Sequence, residues 1–269
     1  MITTFSNYLR YNRGLSENTI TAYEEGLHNF VNYTRSQGLD LRWSTVTKEI
    51  IDEYVRHMVM AEYKPATIKQ HISSLRTFYK TCMAIGAIDH NPARYVSTPK
   101  LADSLPKTIE LDAIRKALES NGTDEQAKAA IAIIFETGIR LQELLDMKRE
   151  DINAQTKSIR IHGKGKKERT VYYGELTIKY GRKWRPEQHT QREVRHLVFM
   201  ALKPVSNAPQ LSPHAIRHTF ATEMLNRGMR TEAIQKLLGH EHLETTEIYA
   251  KLGNSQTRQL YEQYAPRLN

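Results

Sequence analysis

The sequence predicts a mainly α-helical protein with a small β-hairpin, arranged as two domains. Three observations lead there. Apolar residues recur at helical spacing along most of the chain, one short stretch alternates strictly instead, and a proline-bearing break interrupts the helices near residue 100.

The first domain is a helical unit over residues 1–100. Ser16 is placed to N-cap a helix whose apolar positions Ile20, Tyr23, Leu27, Phe30 and Val31 keep the helical period, with Gly38 past its end. Thr47 is placed to cap a second helix through Ile51, Tyr54, Val55 and Met58. Pro65 opens a third, with Ile68, Ile72, Leu75, Tyr79 and Cys82 on one stripe and Gly86 beyond it. On that stripe Cys82 reads as a small core hydrophobe rather than a reactive thiol. The stretch from Asn91 to Pro106 carries three prolines and little apolar periodicity, as an interdomain connection does; residues 101–106 are assigned as the linker.

The second domain spans residues 107–269. Helices resume over residues 111–120 and again after Thr123, where AKAAIAIIFE is apolar enough to be buried on all sides. Gly138 ends or kinks that helix, and RLQELLDM continues as another. In KSIRIHGKGKKERTVYY the period changes: Ile159 and Ile161 alternate with polar neighbours, residues 163–167 turn, and residues 170–173 return. From Ser212 onward the chain is again helical, in short capped pieces separated by Gly228 and Gly239.

The chain has 269 residues and 31.1 kDa, enough for two modest domains that each bury a core. Its 39 Lys and Arg outnumber 30 Asp and Glu, for a net charge of +9 and a pI near 9.5. That balance favours polyanionic partners, nucleic acid above all. Residues 157–203 hold 13 basic and 4 acidic side chains, an excess equal to that of the whole chain. The run includes strand, aromatic and glycine residues, so it reads as a shaped surface rather than a tail. A single cysteine, Cys82, excludes an intramolecular disulfide framework and a Cys-based zinc finger. With no long apolar run and no signal-type N-terminal stretch, neither a membrane span nor standard secretion is expected.

Four features of the second domain carry chemistry. Arg140 follows Gly138 at a helix junction, with Glu143 three residues on to orient it; an ordinary surface ion pair is the alternative. Lys164 sits between two glycines at the hairpin tip, where it can approach a phosphate or act as a tunable acid; a solvated turn is the alternative. In SPHAIRHTFAT, the Ser212 cap and Pro213 place His214 and Arg217 on one face in the first turns, beside the positive end of the helix dipole. His218 reads as packing plus one hydrogen bond. His240 follows Gly239 at a helix end, and Tyr249 lies on the next short helix, where a core role is also open.

A zinc site from His214, His218, His240 and His242 is not expected, because HExxH is absent and no Cys or clear carboxylate completes a tetrahedral set. No serine-triad signature and no P-loop occur either. Two arginines, two histidines, a lysine and a tyrosine do suit attack on a phosphodiester. Arginines clamp the non-bridging oxygens, the phenolate is a nucleophile, and lysine protonates the departing sugar oxygen. With that much fixed positive charge, no metal or other cofactor is needed.

In this order the residues resemble the tyrosine recombinases of the phage integrase family: TGIRLQELL with Arg140, GKGKKER with Lys164, SPHAIRHTFAT with His214 and Arg217, LLGH with His240, and TTEIYAKL with Tyr249. The resemblance covers nearly the whole chain. It implies a helical, SAM-like core-binding domain over residues 1–100 and a catalytic domain over residues 107–269. It further implies that Arg140 and Arg217 hold the scissile phosphate and that His214 and His240 assist proton transfer and transition-state stabilisation. Lys164 would be the general acid, and Glu143 the acidic supporting residue. Tyr249 would form a 3′-phosphotyrosyl bond and free a 5′-hydroxyl, so that strands exchange through a Holliday junction without ATP.

The implied partner is double-stranded DNA at a recombination site, bound by a homotetramer with or without a second recombinase or a DNA-bending protein. The implied location is the cytoplasm, at the nucleoid, and the tail after Tyr249 would dock on a neighbouring subunit. The stretch between Lys164 and His214 is short for the family, and its run KYGRKWRPEQHTQREVR has no assigned place. No arm-binding domain is expected before the first helices, which favours a simple Xer-like or invertase-like recombinase over an integrase that needs arm sites. Two other readings share this resemblance: a type IB topoisomerase, and a DNA-binding clamp without catalysis.

Overall fold

The computed structural model describes residues 1–99, 108–163, 168–239 and 254–268, the side chains of 254–257 excepted. The chain forms two compact units, Met1–Asp103 and Ser104–Asn269. Among the described residues it is helical apart from one small sheet.

The first unit contains α1 (Ile2–Tyr11), α2 (Glu17–Ser36), α3 (Lys48–Met60) and α4 (Pro65–Ala84). The Ser16 side chain accepts the Thr19 N–H, satisfying one of the orphan amides at the start of α2. Thr47 does precede α3, but its hydroxyl accepts no backbone N–H there. Helix α1 is a further element without a side-chain cap at its start; Phe5 and Leu9, one turn apart, bury it. Helices α2 and α4 cross closely at Gly26, where a Cβ would lie 2.5 Å from Ser74 Oγ. Around that crossing an aromatic core forms, with Phe5 edge-on to Phe78 at 5.4 Å. Cys82 is buried in it, and burial pushes its thiol pKa up.

The first part of the proline-bearing break is not free connection. Arg76 donates to the carbonyls of Ala93 at 3.1 Å and Val96 at 2.5 Å, and Asn91 donates back to Arg76 O. Ala93 and Val96 are therefore buried in the first core. The linker assigned to residues 101–106 lies outside the described residues.

In the second unit, α5 (Leu111–Glu119) and α6 (Glu125–Thr137) are followed by α7 (Leu141–Asp146), then by strands β1 (Ile152–Asn153), β2 (Ser158–His162) and β3 (Glu168–Tyr172). Helices α8 (Glu175–Tyr180), α9 (Gln191–Leu202), α10 (Pro213–Asn226), α11 (Thr231–Leu238) and α12 (Asn254–Tyr264) complete it. Helix α6 is the hub. Every residue from Ala127 to Thr137 is buried, which is why the sequence there lacks a polar face. Its buried Glu136 accepts the N–H groups of Gly174, Leu176 and Thr177, capping α8 with a charged acceptor.

The expected hairpin is β2–β3, antiparallel, with Ile159 opposite Val171 and Ile161 opposite Arg169. A short third strand, β1, joins its edge through Ile152 and Asn153. Two residues paired with so few neighbours leave no alternation to detect in sequence. The unassigned basic run becomes the end of α8, two single helical turns and the start of α9. Trp184 anchors it by burying its indole, which donates to Leu144 O at 3.1 Å. Arg182, Lys183, Arg192 and Arg195 stay exposed. At the C-terminus, Tyr261 of α12 packs on Tyr172 of β3, so this helix covers its own unit. No described helix is long and apolar enough to cross a membrane.

Candidate active site

Two helix ends, each closed by a left-handed glycine, meet in the second unit. Gly138 ends α6 at φ 64° and Gly239 ends α11 at φ 65°, a conformation that favours glycine. A Cβ on Gly138 would also strike the Phe220 ring. These ends leave carbonyl oxygens without helical partners, and three arginines take them.

Arg217, from the second turn of α10, donates Nη1 to Gly138 O at 2.5 Å and Nη2 to Leu238 O at 2.8 Å. Arg140, at the start of α7, donates Nη2 to Gly239 O at 2.8 Å. Arg169, on β3, donates Nε to Leu237 O at 3.0 Å. Three successive carbonyls at the C-terminal, negative end of α11 thus gather three guanidiniums.

A single carboxylate sits among them. Glu143 Oε2 accepts the Arg140 backbone N–H at 2.7 Å and its Oε1 accepts Arg140 Nη1 at 3.0 Å. Arg169 grips the same two oxygens with a fork, both bonds at 2.7 Å. Burial works to raise the Glu143 pKa, but the hydrogen bonds and charge of Arg169, with help from Arg140, hold it below the usual carboxylate range. Arg217 is buried, and burial together with the neighbouring Arg140 brings its pKa down to about 10, still cationic at neutral pH. The cluster is a site short of negative charge.

The structure revises two expectations. His214 and Arg217 do not share an environment: Arg217 is buried, whereas His214 is exposed. His218 is not packed away with one hydrogen bond; it is exposed, and its ring meets His214 edge to face at 4.4 Å. Three residues along a helix turn about 300°, four about 400°, so His214 aligns better with His218 than with Arg217. Though exposed at the surface, both rings lose part of their solvation to neighbouring groups, which lowers their pKa values, and the charges of His218 and Arg217 lower that of His214 further. Ser212 already accepts the Ala215 N–H, so one amide of the expected anion pocket at this helix start is occupied.

The structure therefore brings Arg140, Glu143 and Arg217 together. Lys164, His240 and Tyr249 lie outside the described residues, as does His242 of the zinc set that was set aside. Arg169 is the functional neighbour that sequence reasoning missed. It ends the GKGKKER run among several equivalent cations, and only the strand register and the crossing of α11 single it out. Beside it, at the turn end of the hairpin, His162 bridges Asp151 at 2.8 Å and Glu168 at 3.1 Å.

A helical unit with a three-stranded antiparallel sheet, preceded by a separate helical unit, agrees with the comparisons. Residues 107–256 match the phage integrase family, and residues 2–86 match its N-terminal SAM-like domain. The chain belongs to the phage integrase family, and is a tyrosine-type recombinase that cleaves and rejoins DNA strands. It is 32 % identical to tyrosine recombinase XerD of Listeria monocytogenes serovar 1/2a, with 99 % of each chain covered. In fold it is similar to the Tn1549 transposon integrase, solved with a circular intermediate DNA: TM-score 0.69, 17 % identity, 98 % of this chain and 99 % of that one. It is likewise similar to XerH recombinase, solved with its difH substrate: TM-score 0.66, 20 % identity, 96 % and 83 % coverage.

Proposed function

We propose that Arg140 and Arg217 hold the scissile phosphodiester of a DNA recombination site and that Tyr249 attacks its phosphorus. The observation that carries this reading is the gathering of three guanidiniums around one carboxylate, which leaves an excess of positive charge where a phosphate would sit. The Tyr249 oxygen bonds to phosphorus as the bond to the 5′-oxygen breaks, giving a 3′-phosphotyrosyl link. Lys164 protonates the departing 5′-oxygen, and His214 and His240 assist proton transfer and stabilise the charge of the pentavalent state. Glu143 orients Arg140.

The freed 5′-hydroxyl of a partner duplex then attacks the phosphotyrosine and releases Tyr249, so strands exchange through a Holliday junction without ATP. The conserved bond energy makes a nucleotide or metal cofactor unnecessary. In this reading residues 1–100 and 107–269 grip each duplex as a two-domain clamp. Four copies assemble on DNA, with or without a second recombinase or a bending protein, in the cytoplasm at the nucleoid. The tail after Tyr249 docks on a neighbouring copy in that assembly, leaving the position on its own unit that α12 occupies here.

A duplex nicked close to the cleavage position tests this. Wild type should trap a covalent adduct, as should Tyr264→Phe, while Tyr249→Phe should trap none. An adduct with Tyr249→Phe that is lost in Tyr261→Phe or Tyr264→Phe would move the nucleophile. Strand transfer between two duplexes distinguishes recombination from the relaxation a topoisomerase performs.

A further inference from the structure

Among the described residues, Glu143 is the one group with a role in the reaction above that Arg169 hydrogen-bonds, and Arg169 grips both of its oxygens. We propose that Arg169 is a positioning residue for DNA cleavage: it neutralises Glu143, and so leaves the Arg140 guanidinium available to the phosphate. The proposal rests on the reading of the site given above.

Exposure separates the two arginines. The Arg140 side chain is 44 % exposed, whereas Arg169 is 15 % exposed and Glu143 7 %. Arg140 can face a duplex; Arg169 is turned inward. Each of its three nitrogens donates to an acceptor inside the protein, two to Glu143 and one to Leu237 O. Its guanidinium also lies against Gly239, where a Cβ would come within 3.0 Å of Nη1. The planar head is thus held on three sides, with no freedom left to follow a ligand.

A buried carboxylate cannot rely on water to screen its charge, so it takes whatever cation is in reach. Two are in reach here, and they compete. Arg169 engages both oxygens with a fork at 2.7 Å, while Arg140 makes one longer side-chain contact of 3.0 Å to Oε1. Glu143 is therefore paired mainly with Arg169, and the charge of Arg140 is left over. Counting Arg140, Arg169 and Arg217 against Glu143, the cluster carries a net charge of +2. A phosphodiester brings one negative charge and gains a second as it becomes pentavalent. Without the Arg169 charge, Glu143 would draw Arg140 inward and the cluster would fall to +1, short of what the transition state needs.

A double-variant cycle on the nicked duplex tests this, reading single-turnover cleavage at saturating protein, with duplex affinity and circular dichroism measured alongside. Arg169→Gln should cleave about 100-fold more slowly than wild type, with affinity within about threefold. In a Glu143→Gln background the same change should cost less than about threefold, because no buried carboxylate is left to capture Arg140. Arg169→Lys, which keeps the charge without the fork, should fall between. Should Arg169→Gln not fold, comparing Glu143→Gln/Arg169→Gln with Glu143→Gln alone decides the matter. A large loss there means that Arg169 acts through packing, and overturns the proposal. Wild-type cleavage by a folded Arg169→Gln overturns it too. Failure of the wild type to form any adduct would instead overturn the proposed function.

Discussion

Arg217 donates to the carbonyl of Gly138, 79 positions earlier in the chain, and that one contact joins α10 to the end of α6. It depends on Gly138 holding φ 64°, since only then does the carbonyl leave the helix axis towards the guanidinium. Gly138→Ala adds left-handed strain and drives a methyl into Phe220. It should cost roughly 2–4 kcal/mol. Thermal unfolding checks this, and an unchanged melting temperature would show that the α6 end can relax.

Glu136 caps α8 from inside the core, on three N–H groups. Glu136→Ala leaves those donors without their acceptor and should destabilise the second unit by about 2–4 kcal/mol, with Glu136→Gln losing less. Denaturant unfolding followed at Trp184 reads the difference. Equal losses in the two variants would mean that packing, not the cap, carries the effect.

At the turn end of the hairpin, His162 has its pKa raised above the usual value of about 6.5, first by the hydrogen bond to Asp151 and then by Glu168. Arg160, 3.6 Å from the same carboxylate, also faces it. The stabilisation is fully present below about pH 6.5 and disappears as pH rises through the higher folded-state value. An NMR titration of the His162 ring should show that raised midpoint, and Asp151→Asn should bring it down. A midpoint that Asp151→Asn does not move would remove Asp151 as the cause.

His214 titrates in the other direction. Partial desolvation, His218 and Arg217 lower its pKa below the usual value, which favours the neutral ring at pH 7. If the neutral ring takes part in proton transfer, cleavage should hold steady down to about pH 6.5 and fall only below it. His218→Gln removes one source of repulsion, so the acid limb of the pH–rate profile should move to higher pH. A limb that stays in place would separate His214 from the proton-transfer step.

Lys164→Ala should slow cleavage by about 100-fold or more. A 5′-bridging phosphorothiolate, whose sulfur leaves without a proton, should restore most of that rate. Absence of rescue would remove Lys164 from the acid role. Cleavage by the wild type should also persist in EDTA, and a loss restored by zinc or magnesium would bring back a metal site.

Much of the architecture is legible along the chain because it depends on near neighbours. Ser16, Pro65 and Ser212 mark helix starts through the amides just after them, and Gly138 and Gly239 mark helix ends through their own backbone. The wholly apolar run in α6 announces a helix buried on every side. Helix α1 and strand β1 escape this reading: α1 carries its apolar stripe of Ile2, Phe5 and Leu9 over only ten residues with no side-chain cap, and β1 is two residues held by pairing to β2. The residues between Asn91 and Val96 look like connection until Arg76, on α4, is seen to hold their carbonyls.

The sequence by itself determined the helical class, the hairpin, the basic character and the ordered set of arginine, lysine, histidine and tyrosine that points to phosphodiester chemistry. Which of those side chains meet was decided by tertiary structure. Glu143 finds Arg169 across 26 positions and Arg169 finds Leu237 across 68, partners no helical or strand period links. A guanidinium becomes distinctive only through the acceptors around it, and here these are carbonyls at a helix end and one buried carboxylate. Folding brings them together from five separate elements, α6, α7, β3, α10 and α11.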